Sequence, residues 1–192
     1  MQLKKAIDAT RAQADVQGAD AADAGTLRFR KPRKADGAAV WALIRSIGPL
    51  DDNSMYCNLL QCSHFAATCA IAELDGELVG WISGYLPPDQ PDTLFVWQVA
   101  VHPDARGRGV AKRLIHELLR RPECRRVRHI HSTITPDNAA SWALFRAIAD
   151  DLDAPIADDP HFERDAHFDG QHETEHLVEI GPFDRVGLRR VA

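Results

Sequence analysis

A mixed α/β (α+β) domain, with a central sheet of about six to seven strands and helices on both faces, is the fold class that this chain of 192 residues predicts. Three observations point there. Strand-like and helix-like stretches follow in the order strand, two helices, three strands, helix, strand, helix, strand. "TCAIAELDGELVGWISGYLPP" holds two alternating runs joined at Asp75-Gly76, a pair that favours a tight antiparallel hairpin turn. "DTLFVWQVAVHP" is apolar on both sides, as a strand covered by two layers must be.

Taken in order, residues 1–25 are rich in Ala, Asp and Gln and poor in large apolar side chains, and they are expected to be disordered or weakly ordered. In "TLRFRKP", Leu27 and Phe29 alternate with charges as in a half-buried strand, which Pro32 ends. Asp36 suits the N-cap of a helix whose stripe is Val40, Leu43, Ile44 and Ile47, stopped by Gly48-Pro49. "LDDNSMYCNLLQCSHF" is polar and then helical, with Leu59, Leu60 and Phe65 expected in the core. A helix from about Arg108 to Arg120 carries Val110, Leu114, Ile115, Leu118 and Leu119 on one face. "VRHIHSTIT" reads as a strand, and Pro136-Asp137-Asn138 opens a helix with Trp142, Phe145, Ile148 and Ala149 inward. The last third looks irregular and closes on the strand-like "TEHLVEI". One domain over 26–183, with a tail at 184–192, is the expected organisation.

Composition narrows the function classes. Hydrophobic residues are 45% and charged residues 27%, ordinary for a water-soluble domain, and the formal charge of −5 gives nucleic acid little electrostatic hold. No apolar run approaches the roughly 18–20 residues of a membrane span, and the N-terminus lacks an apolar secretory core. Cys57, Cys62, Cys69 and Cys124 form no CxxC pair, and a cytoplasmic protein with reduced thiols is expected. His129 and His131 share a strand face, as do His172 and His176, but no cysteine spacing supports a closed metal site, so no metal is expected.

The chemistry concentrates in "QVAVHPDARGRGVAKRL". Gly107 and Gly109 are not a dinucleotide fingerprint, because the third glycine falls at Lys112, and no Walker loop aligns. What remains is Arg106-x-x-Gly109-x-Ala111, a basic strand-to-helix turn. Small residues let backbone N–H groups approach an anion, the helix N-terminus adds partial positive charge, and Arg106 and Arg108 supply charged donors. An exposed basic turn with no ligand has the same composition. Placed directly after the central strand, however, "VWQVAVHP…RGRGVA" resembles the acetyl-coenzyme A signature of the GNAT acetyltransferases, and the order of elements from 27 to 180 matches theirs. The resemblance implies that acetyl-CoA lays its pyrophosphate on the loop of Arg106, Gly107, Arg108, Gly109, Val110 and Ala111. It implies further that the pantetheine arm pairs with Val99, Ala100 and Val101, that the Val99 N–H polarises the thioester, and that Asn138 lies at the cofactor.

The stretches "LDDNSMYCNLLQCSHF", "PPDQPDTLFVWQVAVHP", "TITPDNAASWALFR" and "HETEHLVEIGP" are similar to the L-2,4-diaminobutyrate acetyltransferases of ectoine biosynthesis. That resemblance implies acetylation of the side-chain (gamma) amine and a homodimer. It also implies a diamine site of Asp51, Asn53, Tyr56, Trp97, His172 and Glu175, with Glu175 or Asp51 taking the proton of the ammonium. Trp97 lies two residues before Val99 and is expected on the same face. His172, Thr174 and His176 are expected on one face of the late strand, with Glu173 and Glu175 on the other. Other readings of single residues stay open: Asp51 also suits a helix cap, Tyr56 and Trp97 the core, and Glu175 a solvated strand position. Arg45 and the Asn53 amide are candidates for the substrate carboxylate. Many GNAT enzymes protonate the departing thiolate with a tyrosine seven residues after an asparagine, but seven after Asn138 stands Phe145. Tyr56 is the candidate to replace it. An acetyltransferase for another small amine, and an acetyl-CoA sensor without turnover, are the competing functions.

Overall fold

Two residues with positive φ, Asp75 at 52° and Gly76 at 92°, close a two-residue turn that pairs β2 (Ala70–Leu74) with β3 (Glu77–Tyr85). This backbone matches strand twist, which is why Asp-Gly reads as a hairpin. The computed structural model describes residues 25–48 and 53–185. Its seven-stranded sheet runs β1 (Leu27–Arg30), β2, β3, β4 (Thr93–Val101), β5 (His129–Ile134), β7 (Glu175–Ile180), β6 (Ile156–Phe162). Neighbours are antiparallel except β4 and β5, which are parallel.

Helices cover both faces. On one side α1 (Gly37–Ile47) and the end of α2 (Met55–Gln61) pack Val40, Leu43, Ile44 and Cys62 against Ile71, Trp81 and Ala100 of the sheet. On the other, α3 (Val110–Arg120) and α4 (Ala139–Leu152) seat Leu114, Ile115, Phe145 and Ile148 on Ile82, Leu94, Val96 and Ile130. A short α5 (Arg164–His167) lies between β6 and β7. α3 starts hard against β3. A Cβ on Gly80 would come within 2.9 Å of Val110 Cγ1, so glycine sets how closely the helix start approaches the sheet.

Three expectations are corrected. Asp36 does not cap α1: its carboxylate grips Arg30 at 2.7 Å and accepts from the Arg33 N–H at 2.6 Å. Leu59 and Phe65 are 37% and 45% exposed, whereas Asn58 and Gln61 face inward. The irregular last third holds an extra strand, β6, exposed along its whole length and carrying Pro160, a residue that suits an edge strand. No described helix is long and apolar enough to cross a membrane. The expected lead-in and tail lie, but for Gly25, Asp184 and Arg185, outside the described residues.

Candidate functional site

β4 and β5 pair over only three positions, from Thr93 opposite His129 to Phe95 opposite His131. Ser132 Oγ then donates to Val96 O at 2.9 Å, and beyond that tie each strand continues without pairing to the other. Between the separating ends opens a cavity of about 660 Å³, lined by Val99, Val101, Arg106 and Ala111 on one side and by Thr135 and Asn138 on the other. Unpaired edges of two parallel strands offer free backbone groups to an extended ligand, as in strand addition.

The turn after β4 closes one end of this cleft. Gly107 and Gly109 take φ of 74° and 68°, conformations that favour glycine, and no atom lies within 4 Å of where either Cβ would stand. The glycines therefore serve the backbone path and leave open space above it. The first bond of α3 is donated by the Arg113 N–H to Gly109 O at 3.0 Å, so the amides of Val110, Ala111 and Lys112 precede any intrahelical acceptor. Amides so placed, with the helix dipole behind them, can receive an anion. Arg106 Nε donates to Val101 O at 3.3 Å, and Arg106 to Gly109 are exposed. Across the cleft, Asn138 caps α4 by accepting from the Ser141 N–H at 3.1 Å. Val110 is 2% exposed and Ala100 fully buried toward α1, so neither side chain is available to a cofactor.

Trp97 is not on the face of Val99. The register passes from Ser83–Gln98 to Gly84–Val96, which leaves Trp97 as the extra residue of a β-bulge. Val99 and Val101 lie toward α3 and α4, while Trp97, 47% exposed, borders a separate cavity of about 200 Å³ with Gln61, Phe65, Ser83, Gly84 and Tyr85. The bulge thus turns one strand toward two separate cavities within three residues.

The late segment corrects a second face. Residues 173 and 174 precede β7, so strict alternation does not extend to them, and His172 and Glu175 come together with Nε2 and Oε1 4.0 Å apart. His172 Nδ1 bonds Glu173 O at 2.8 Å and its ring packs on Phe168 at 4.7 Å. Glu175 Oε2 is buried without a hydrogen-bond partner among the described residues, as is Asn53 Nδ2. His176 turns away to Asp158 at 2.8 Å. His129 and His131 pair separately, with Asp92 at 3.7 Å and Glu179 at 3.1 Å. Burial holds the His131 imidazole below its usual value, partly offset by Glu179.

Tyr56 is 69% exposed in the first turn of α2, not a core residue, and it borders neither cavity. Arg45 lies over the Trp41 ring at 4.6 Å. Asp51 lies outside the described residues. Phe145 is 2% exposed within the core, so its position offers the cleft no acid. All four cysteines are free; burial pushes the Cys62 and Cys69 thiols up to about 12 and Cys124 to about 11. Sequence reasoning missed Gln61, Ser83, Phe65 and Tyr85 at the second cavity, because only the bulge and the inward turn of α2 bring them to Trp97.

Known proteins resemble this chain in sequence and in fold. Residues 38–149 match the acetyltransferase (GNAT) family. The chain is 52% identical over 160 residues to an L-2,4-diaminobutyric acid acetyltransferase of Methylotuvimicrobium alcaliphilum, covering 83% of this chain and 93% of that one. With the enzyme of the same name from Halomonas elongata the identity is 47% over 162 residues, 84% of each chain. Among solved structures, the diaminobutyrate acetyltransferase EctA of Paenibacillus lautus, in complex with its substrate L-2,4-diaminobutyric acid and coenzyme A, superposes with a TM-score of 0.80. Its identity is 41%, and the match covers 84% of this chain and 98% of that one.

Proposed function

The chain belongs to the GNAT acetyltransferase family and within it to the L-2,4-diaminobutyric acid acetyltransferases, and from this premise we propose that it transfers the acetyl group of acetyl-CoA to the side-chain (gamma) amine of L-2,4-diaminobutyrate. The product is the gamma-N-acetyl compound, which suits ectoine formation under osmotic stress. The observation that carries the reading is the cleft between β4 and β5 ending on the Gly107–Gly109 turn. Its unpaired strand edges and the glycine turn at a helix N-terminus suit a coenzyme A thioester.

In this reading the amides of Gly107 to Ala111 hold the pyrophosphate, Arg106 and Arg108 add charge, and the pantetheine arm lies along Val99 to Val101 with Asn138 opposite. The Val99 N–H meets the thioester oxygen. As the amine nitrogen bonds to the carbonyl carbon, negative charge grows on that oxygen, and a fixed dipole there lowers the barrier. The sulfur–carbon bond then breaks and the thiolate leaves. An ammonium has no lone pair to attack with, so Glu175, or Asp51, takes its proton through water. His172, 4.0 Å from Glu175, helps hold that carboxylate in place. Asp51 and Glu175 attract the two ammonium groups, Asn53 adds a hydrogen-bonding group, and Trp97 walls the acceptor side. Tyr56 donates the proton that the thiolate takes up. The exposed strand β6 and exposed Ile156 and Phe162 suit a homodimer, and the free thiols suit the cytoplasm.

A thiol-release assay with L-2,4-diaminobutyrate, ornithine and lysine as separate acceptors tests the proposal. Diaminobutyrate is expected to exceed the others by at least about tenfold in kcat/KM, since each added methylene is worth about 1–3 kcal/mol in a shaped pocket. Equal use of all three would support an acetyltransferase for other small amines, and tight cofactor binding without turnover a sensor.

A further inference from the structure

Where Ser132 Oγ donates to Val96 O at 2.9 Å, β4 and β5 part. The next residue on β4 is Trp97, and the next on β5 is Thr133. Alternation sends the Thr133 side chain away from α3 and α4, because the even-numbered Ile130 and Ile134 lie in the core under those helices. His131 shares the face of Thr133 and meets Glu179 of β7 at 3.1 Å, which sets the odd-numbered residues of the two strands side by side. Thr133 stands opposite Leu177 in that register, so Glu175 is its diagonal neighbour on β7. Trp97 and Glu175 both belong to the proposed diamine site, and the fold places Thr133 between them. Thr133 is half-buried, and its hydroxyl has no hydrogen-bond partner among the described residues.

An attacking amine needs more than carboxylates around it. A carboxylate favours the ammonium, which has no lone pair, whereas a neutral hydroxyl oxygen accepts an N–H from ammonium and amine alike. Resting on the diaminobutyrate reading above, we infer that Thr133 Oγ1 accepts a hydrogen bond from the gamma nitrogen and turns its lone pair toward the thioester carbon in the split between β4 and β5. Of the three protons on the ammonium, one passes to Glu175 through water and frees the lone pair. The C–N bond then forms and the C–S bond breaks, with a second proton leaving to water and the thiolate taking one from Tyr56. The third N–H, held by Thr133, remains in the amide product. One hydrogen bond thus fixes the nitrogen through every stage of the transfer, at the point of the sheet where the two sides of the reaction meet.

The test measures kcat and both KM values with acetyl-CoA and L-2,4-diaminobutyrate in the wild type, Thr133→Val, Thr133→Ser and Thr133→Ala. Valine keeps the branched shape and drops the hydroxyl; serine drops the methyl and keeps the hydroxyl. Thr133→Val is expected to lower kcat/KM for diaminobutyrate by about 10- to 100-fold, since a misplaced nucleophile alone can cost about 100-fold, with the KM for acetyl-CoA within about threefold. Thr133→Ser, which keeps the hydrogen bond, is expected to stay within about threefold of the wild type. Thr133→Ala set against Thr133→Ser isolates the hydroxyl in two small side chains, which keeps the inference testable if Thr133→Val folds poorly. Unchanged kinetics in Thr133→Val would overturn the inference. Equal losses in Thr133→Ala and Thr133→Ser would also overturn it, by assigning the residue to packing. A wild type that does not acetylate diaminobutyrate would overturn the proposed function and the inference with it, so the two failures are distinguishable.

Discussion

At position 145 a phenyl ring without a hydroxyl sits 2% exposed in the core, so the proton for the departing thiolate must come from elsewhere or from solvent. Tyr56, 69% exposed in the first turn of α2, is the residue proposed to supply it. Its replacement by Phe is expected to lower kcat by about 100-fold with KM within about threefold, the magnitude of general acid catalysis. An unchanged kcat would remove Tyr56 from that role. Cysteine offers no alternative nucleophile: burial pushes the Cys62 thiol up to about 12, which leaves almost no thiolate near neutral pH. Cys57→Ser and Cys62→Ser are therefore expected to keep most activity in steady-state assays. Loss of a rapid acyl-enzyme burst in either would contradict direct attack.

Among the elements, the turn feeding α3 separates backbone path from packing. Gly109 has φ of 68° and open space where a Cβ would stand, so Gly109→Ala strains the backbone without a clash. The cost is about 1–2 kcal/mol for a left-handed residue. The variant is expected to melt lower and to show a raised KM for acetyl-CoA, with kcat at saturation largely kept. A fall in kcat alone would place the turn in the chemistry and not in binding. This turn was legible in the sequence because glycine spacing, arginines and a preceding apolar strand are all local signals. The Asp75-Gly76 hairpin was legible for the same reason. The bulge at Trp97 was not, since one extra residue in β4 is defined only against its partner β3, and it reverses the side on which Trp97 was expected. Likewise α2 buries Asn58 and Gln61 and exposes Leu59, so hydrophobicity misjudged its inner face. β6 carries no apolar alternation because it is exposed on both faces, and nothing local announced it.

For the whole molecule, Arg30 ties the first strand to the rest. It bonds Asp36 ahead of α1 at 2.7 Å and Glu73 on β2 at 2.8 Å, with Asp36 also accepting from the Arg33 N–H. The Arg30 guanidinium, helped by that N–H, holds the Asp36 carboxyl below its ordinary value of 3.8. A carboxyl lowered on folding contributes stability that is present above the unfolded value and lost as pH falls through the folded one. Thermal midpoints of the wild type and Asp36→Asn are therefore expected to differ most near neutral pH and to converge below 3.8. A constant gap across that range would show that the carboxylate charge does not stabilise the fold.

We propose that one domain brings a thioester in the β4–β5 cleft to the gamma amine of a diamino acid across the bulge. NMR of the product formed from acetyl-CoA and L-2,4-diaminobutyrate tests it most directly. An acetyl group on the gamma nitrogen alone is expected; acetylation at the alpha nitrogen, or no transfer by protein that binds the cofactor, would overturn this arrangement.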